Sequence, residues 1–177
     1  VTALTGVLVS SALGTKPWLG FLAALAVGVL LGLLLGFIVM RLGVDPTIAG
    51  IAYNLTAGGA TVFFLYLACG EKGNSSRLVS GALPNLNIPL VGKIPFIGSI
   101  ISGHNLLTYV AFLLVPVLSL VLYKASFGMH VRSAGESPEA LESVGVSITA
   151  TRYRAMALSG LFAGLGGAYM SMGYVSY

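Results

Sequence analysis

The most constraining feature of the sequence is a run of 23 residues, 18–40, that contains no charged side chain. A helix of that length can cross the roughly 30 Å hydrocarbon core of a bilayer. Apolar runs of similar length follow at 46–69 and 105–123. The chain is 56% apolar and only 8% charged, whereas soluble domains carry about 25% charge. We therefore predict an all-α protein, a polytopic transmembrane helix bundle embedded in the lipid bilayer.

Apolar runs at 1–13 and 155–177 reach the two ends of the sequence and are interpreted as partial spans. We therefore expect residues 1–177 to form a single transmembrane domain that is truncated at both ends. The connection 70–104 contains three prolines and apolar stretches, so we expect it to lie at the membrane surface or to dip into the membrane. Pro116 is expected to kink the span 105–123, because proline removes a backbone donor.

Small residues recur at every fourth position in two of the spans. Residues spaced in this way share one face of a helix, and a smooth face lets a second helix approach closely. The chain contains 24 glycines, so chance alignment is the alternative, and helix packing is the interpretation that we favour. The two stripes consist of Gly28, Gly32 and Gly36 in the span 18–40 and of Gly160, Gly164 and Ala168 in the last span.

The span 46–69 is the most polar of the set, and Asp45 and Pro46 are expected to start it as N-cap and first helical residue. Asn54 lies about a third of the way through this span, where lipid offers its amide no partner. Two interpretations stand: the amide lines a polar path for a solute, or it forms a hydrogen bond between helices. The candidate path residues are Asn54, Gly58, Thr61 and Tyr53.

Seven of the 14 charged residues (nine basic and five acidic) lie in a polar segment, 124–154, between two apolar runs. Within it, Ser137 followed by Pro138 is typical of a helix start, and Glu139 suits the positive end of a helix dipole. Gly145 is suited to ending a helix in the left-handed conformation. The sequence thus predicts a helix of about two turns, too short to be stable alone in water.

The apolar and acidic residues of this short helix are expected on different faces. The spacing places Ala140, Leu141 and Val144 on one face, and it places Glu139 and Glu142 on another. A short helix with one apolar face, placed between membrane spans, requires a partner surface. We interpret it as a docking helix, whose contact residues are Ser137, Pro138, Glu139, Ala140, Leu141, Glu142, Val144 and Gly145.

The sequence contains no pattern typical of an enzyme or a metal site. A phosphate-binding loop and the His-Glu-x-x-His pattern are both absent. The single cysteine, Cys69, excludes an internal disulfide, and no second metal ligand lies near His104. The net charge of +4 is scattered over the flanks of apolar runs, which does not indicate nucleic acid. We predict no catalytic residue, no metal ion and no cofactor.

Acidic and basic side chains are almost absent from the predicted spans. A proton-coupled carrier would usually keep an ionisable relay there. If the protein moves a solute uphill, we therefore expect its energy source to lie in another subunit.

Residues 135–146 and the following run 158–168 resemble the permease subunits of bacterial ATP-binding-cassette (ABC) importers, in the branch that handles ribose-type sugars, nucleosides and branched-chain amino acids. Family members carry a Gly-x-Asn-Pro-x-Ala-Ala-like segment, then a Gly-Ile/Val pair and a Leu-Ser-Gly-x-x-Ala-Gly-x-x-Gly span. The chain departs from this pattern at Ser137, where Asn is usual, and at Leu141, where a second Ala is usual. The segment 48–55 looks most like the nucleoside and simple-sugar sub-branch.

The resemblance implies an importer permease in a bacterial cell membrane, and not an enzyme. Two permease subunits, identical or different, would enclose a path for a small polar solute, a simple sugar or a nucleoside. Cytoplasmic ABC ATPase subunits would dock on the coupling helix, 135–146, within a cytoplasmic coupling loop, 124–154. An extracytoplasmic solute-binding protein would deliver the solute. The alternatives are an ATPase-independent channel or facilitator, a membrane anchor, and a branched-chain amino acid permease of the same family.

The basic residues alone barely decide the orientation in the membrane. With the coupling loop in the cytoplasm, five basic residues lie on the cytoplasmic side and four on the other. The positive-inside rule therefore favours this orientation only weakly, and the cytoplasmic assignment depends on the resemblance.

Overall fold

The computed structural model describes residues 1–12, 17–69 and 106–171, and these residues are helical almost throughout. The predictions for the connection 70–104, for His104 and for residues 172–177 lie outside the described part. Seven helices follow one another along the described part of the chain, which contains no strand. Their bounds are α1 Thr2–Ala12, α2 Pro17–Arg41, α3 Pro46–Cys69, α4 Leu106–Lys124, α5 Ser126–Glu136, α6 Pro138–Ser143 and α7 Ile148–Tyr169. The all-α prediction is thereby confirmed.

Three of the described helices, α2, α3 and α4, are long and apolar enough to cross a membrane. Their ends lie within one residue of the runs 18–40, 46–69 and 105–123. The helix α4 runs through Pro116 without interruption, and the kink expected there stays a prediction. A proline inside a membrane helix is tolerated where neighbouring groups satisfy the backbone carbonyl that loses its partner.

The centre of the bundle is the contact between α2 and α7, which is the most extensive one between any two of the described helices. A Cβ atom added to Gly28 would lie 2.5 Å from the Gly160 carbonyl oxygen and 2.8 Å from the Gly164 Cα. One added to Gly32 would lie 2.6 Å from the carbonyl oxygen of Met156. The two small-residue stripes therefore face each other, and their backbones touch without side chains between them.

The contact extends beyond these glycines in both directions. Towards the end of α2, Gly36 faces the side chains of Met156 and Met40. In the opposite direction, Ala24 and Ala168 are fully buried. The first helix, α1, lies against both α2 and α7, and its Ser10 is fully buried. The result is a three-helix core of α1, α2 and α7.

The helices α3 and α4 lie at the edges of this core. In α3 only an inner row that includes Ala49 and Leu65 is buried, and the apolar stretch of α4 contains no buried residue. Large apolar side chains such as Leu55 and Phe112, which are 73% and 72% exposed, cover the outer surfaces. Such surfaces suit contact with lipid or with further transmembrane helices.

The polar segment 124–154 was predicted as a loop with one short helix, and this prediction is wrong in two respects. It contains a second helix, α5, and the last helix begins at Ile148 rather than at 155. The side chain of Ser147 caps α7, accepting a hydrogen bond from the Ala150 amide at 3.3 Å. The apolar run shows which part of α7 suits the membrane, but a cap that precedes this run by two turns sets where the helix begins.

We predict that Gly28→Ala lowers the free energy of unfolding by about 1–3 kcal/mol, because the added methyl group overlaps backbone atoms of α7 that cannot rotate away. Denaturant or thermal unfolding of the purified protein in detergent measures this change. Gly50→Ala is the matched control, since no atom lies within 4 Å of its added Cβ and alanine has the higher helix propensity. Equal stability of the two variants would contradict the packing that we describe.

Candidate functional site

The predicted docking helix is α6, a helix of six residues. Pro138 occupies its first turn and Glu139 follows it there, as predicted. The prediction that the Ser137 hydroxyl caps α6 is wrong, because this side chain makes no capping hydrogen bond. Ser137 also ends α5, where its N–H donates to the Ser133 carbonyl at 2.9 Å. Its ψ of 81° lies outside the extended conformation of an ordinary N-cap residue.

The end of α6 follows the prediction. Gly145 has a φ of +77° and donates its N–H to the Glu142 carbonyl at 2.8 Å, while the N–H of Val146 donates to the Leu141 carbonyl at 3.2 Å. This pair of hydrogen bonds is the Schellman motif, which requires a left-handed residue and favours glycine there. Gly145 thus turns the chain sharply away from α6 towards α7.

The apolar face of α6 is divided between the interior and the surface. Leu141 is only 2% exposed, whereas Val144 is 73% exposed, and Ala140 is exposed as well. The expectation that Leu141 is part of an outward docking face is therefore wrong. Spacing showed that these residues are neighbours, but it did not show that α5 and α7, which both contact α6, cover one side of it. The outward face consists of Glu139, Ala140, Glu142, Ser143 and Val144.

The helix α5, which connects the membrane span α4 to α6, is held at both ends. Near its start Gly128 is buried against the carbonyl groups of Val121 and Leu122, where a Cβ atom would overlap them. Near its end the Arg152 guanidinium donates to the Ala134 carbonyl at 3.3 Å. This hydrogen bond joins α5 to the first turns of α7. No pattern in the sequence indicated this contact of Arg152.

The four candidate path residues on α3 do not share one face. Tyr53 points inward, where its hydroxyl is buried and has no hydrogen-bond partner, and it lines a cavity of about 260 Å³ together with Ser159 and residues of the α2–α7 contact. Asn54 and Gly58 are exposed on the outer side of α3. The Thr61 hydroxyl donates to the Ala57 carbonyl of its own helix at 2.7 Å.

The start of α3 is fixed by Asp45, as predicted. Its Oδ1 accepts hydrogen bonds from the amides of Thr47 at 2.8 Å and Ile48 at 3.3 Å. The Ile48 amide, followed by that of Thr47, lowers the pKa of this carboxyl below its ordinary value. Asp45 is therefore charged at neutral pH and keeps the first turn of α3 closed.

A larger, apolar groove lies between α4 and α7. Its volume is about 580 Å³, and it is lined by aliphatic and aromatic side chains that include Phe112, Phe162 and Tyr169. No pattern in the sequence indicated this groove. Among the described residues, no group of three His, Cys, Asp or Glu side chains is placed to hold a metal ion.

Comparison with known proteins links this arrangement to transport. The model of the family described as branched-chain amino acid transport system / permease component matches residues 1–177. The guanosine ABC transporter permease protein NupQ of Bacillus subtilis is 34% identical over 152 residues, which cover 85% of this chain and 47% of that protein. A putative glucose ABC transporter permease protein of Haloferax volcanii is 31% identical over 178 residues, covering 98% of this chain and 52% of that protein.

A third relative is the nucleoside ABC transporter permease protein NupC of Lactococcus lactis subsp. cremoris. It is 32% identical over 153 residues, which cover 86% of this chain and 47% of that protein. The chain thus spans about half the length of these relatives. No solved structure matches the chain.

The burial of Leu141 predicts different outcomes for two substitutions on α6. Leu141→Asp should sharply reduce the amount of folded protein in the membrane, because an unpaired charge would be buried. Val144→Asp should leave it unchanged, since the new carboxylate would face water. Size-exclusion profiles of the solubilised full-length protein measure both outcomes, and equal yields of the two variants would contradict the orientation of α6.

Proposed function

The chain belongs to the branched-chain amino acid transport system / permease component family, and from this membership we propose that it forms part of the membrane-spanning permease of an ABC importer. The family is one of transport permeases, not of enzymes. Three described helices are long and apolar enough to cross a membrane. In the proposed complex, a second permease subunit pairs with this one, cytoplasmic ABC ATPase subunits drive it, and an extracytoplasmic solute-binding protein supplies the solute.

The observation that supports ATPase coupling is the presentation of α6. Buried Leu141 holds this short helix to the rest of the protein, while Glu139, Glu142 and Val144 remain exposed. A helix that is anchored on one side and free on the other can occupy a groove of a partner. Exposed ion pairs contribute only about 0–1 kcal/mol each, so we assign most of the contact energy to the apolar side chains and use the carboxylates for orientation. We therefore propose that the segment 124–154 lies in the cytoplasm.

The solute path is proposed to run along α3. Asn54 and Gly58 are exposed on a surface that the other described helices leave uncovered, and a second subunit or further helices would enclose a polar amide there. Tyr53 and Thr61 would contribute from the inner side of the same helix. Uncharged hydrogen-bonding groups of this kind suit a polar, neutral solute.

A nucleoside or a simple sugar is the solute class that we favour. Relatives that cover 85% or more of this chain are named as permeases for guanosine, for nucleosides, for glucose and for fructose. A relative named as a probable branched-chain amino acid permease, from Methanocaldococcus jannaschii, matches only 34% of the chain. Binding of radiolabelled guanosine, glucose and leucine to the associated solute-binding protein separates these candidates.

We predict that Val144→Asp in the full-length permease reduces co-purification of the ATPase and reduces solute uptake, because a charge replaces an apolar side chain that is 73% exposed at the end of α6. Met129→Asp is the control, since Met129 is an apolar residue of α5 that is 55% exposed and lies outside α6. Pull-down with the tagged permease and uptake into proteoliposomes measure the two effects. Full uptake without any ATPase would instead establish a channel or facilitator.

A substitution of Asn54 tests the path. Asn54→Leu should raise the KM for the solute by about tenfold, because it removes one hydrogen-bonding side chain worth about 1.4 kcal/mol. Leu55→Ala is the control, as Leu55 is the adjacent exposed residue without a polar group. If uptake kinetics of the Asn54 variant match those of the control, Asn54 is not part of the path and serves helix packing.

A further inference from the structure

We propose that Arg152 is a positioning residue that fastens the docking helix α6 to the core helix α7, so that a displacement of α6 moves α7 with it. This inference rests on the proposed function, because it concerns how a movement imposed on α6 reaches the bundle. Arg152 would touch neither the solute nor the ATPase. It would act through the backbone of α5.

Arg152 binds to the last turn of α5. Its Nη2 donates to the Ala134 carbonyl at 3.3 Å, across 18 positions of sequence. Ala134 lies in the last turn of α5 and is only 4% exposed. Carbonyl groups in a last turn have no partner within their own helix, and the negative end of the helix dipole attracts a cation. The last turn of α5 has no basic residue of its own, and Arg152 supplies one from another helix.

The helices α5 and α6 follow each other almost without interruption. The helix α5 ends at Glu136 and α6 begins at Pro138, so that Ser137 is the only residue between them. Ser137 donates its N–H to the Ser133 carbonyl in α5, and its own carbonyl accepts from the Leu141 N–H in α6 at 3.4 Å. A bond that fixes the end of α5 therefore also fixes the start of α6.

On α7, Arg152 belongs to the row of residues that packs against α2. Counting back in fours from Gly164, through Gly160 and Met156, leads to Arg152, and residues four apart share a helix face. The same row that contacts the α2 backbone therefore continues to the residue that contacts α5. At one end this row of α7 contacts α5, which is continuous with the docking helix α6. At the other end it contacts α2.

The interatomic contacts along this row leave little freedom. The glycines of α2 and α7 touch through their backbones, so no rotamer change can absorb a shift. The helix α6 is held on its inner side by Leu141, which is 2% exposed. Arg152 joins α7 to the last turn of α5 through a side-chain hydrogen bond, and its loss should let α6 move while α7 stays in place.

The test uses the full-length permease with its ATPase and solute-binding protein in proteoliposomes. Arg152→Ala should retain the bound ATPase and its ATP hydrolysis, while solute imported per ATP hydrolysed falls by at least about threefold. Arg152→Lys should recover part of this loss, since an ammonium group donates to the same carbonyl. Arg154→Ala is the matched control and should equal the wild type: Arg154 is exposed like Arg152 but lies about 200° further around α7, away from the Ala134 carbonyl.

The proposal is overturned if Arg152→Ala and Arg154→Ala import equal amounts of solute per ATP. It is also overturned if Arg152→Ala loses the ATPase while the complexes that remain couple normally, since Arg152 would then only support the docking surface. A wild-type permease that retains no ATPase would refute the proposed function itself, and this inference with it.

A second measurement decides the question should Arg152→Ala fail to insert. Spin labels at Ser143→Cys in α6 and Ser159→Cys in α7, both exposed positions, report the separation of the two helices in a permease that keeps Arg152 and whose native cysteines, Cys69 among them, are replaced by serine. A fixed link predicts the same label distance in the nucleotide-free and ATP-bound complexes. A change in this distance between the two states would contradict the link.

Discussion

The backbone contact between α2 and α7 is the interaction on which the rest of the structure depends. Lipid is as apolar as a leucine side chain, so two helices in a membrane gain little from hiding leucines against each other. They gain from close approach, which multiplies weak dispersion contacts. Gly28 and Gly32 opposite Gly160 allow this approach, and α1 then packs against both partners. The polar segment is attached to the same pair, because α7 extends beyond its apolar part to carry Arg152.

The structure combines a tightly packed centre with loosely packed edges. The outer surfaces of α3 and α4 are covered with exposed apolar side chains, and the groove between α4 and α7 has a volume of about 580 Å³. Among the described helices, fewer contacts hold these two than hold α1, α2 and α7. Helices with few contacts can shift at low cost in free energy, which is what a transport path requires of the elements that line it. The candidate path lies on one of them, α3.

Much of the fold could be predicted because single residues have strong local effects. Runs without charge located the ends of α2, α3 and α4 to within one residue, and Gly145 marked the end of α6 through its positive φ. What could not be predicted depends on contacts between distant parts of the chain. The spacing of Ala140, Leu141 and Val144 indicated that they are neighbours, yet only the structure shows that Leu141 faces inward. The two glycine stripes were visible separately, but nothing in either indicated that the other was its partner.

The candidate site was predicted in part, for the same physical reason. Residue types identified α6 as a surface helix and α3 as the polar span, since composition alone distinguishes these segments. The direction of each side chain around α3 was not accessible, and Tyr53 and Asn54 occupy different sides of it. The role of Ser137 was also misjudged, because a residue that ends one helix and starts the next cannot adopt the ideal geometry for both.

The contact of glycine with glycine also limits which substitutions the sequence can accept during evolution. In most cores, a larger side chain on one helix can be accommodated by a smaller one opposite, so a damaging change has a compensating one. Here Gly28 and Gly160 are each already the smallest residue, and no substitution on one helix can make room for a change on the other. A larger residue on either helix therefore weakens the interface, and no second substitution opposite it restores the contact.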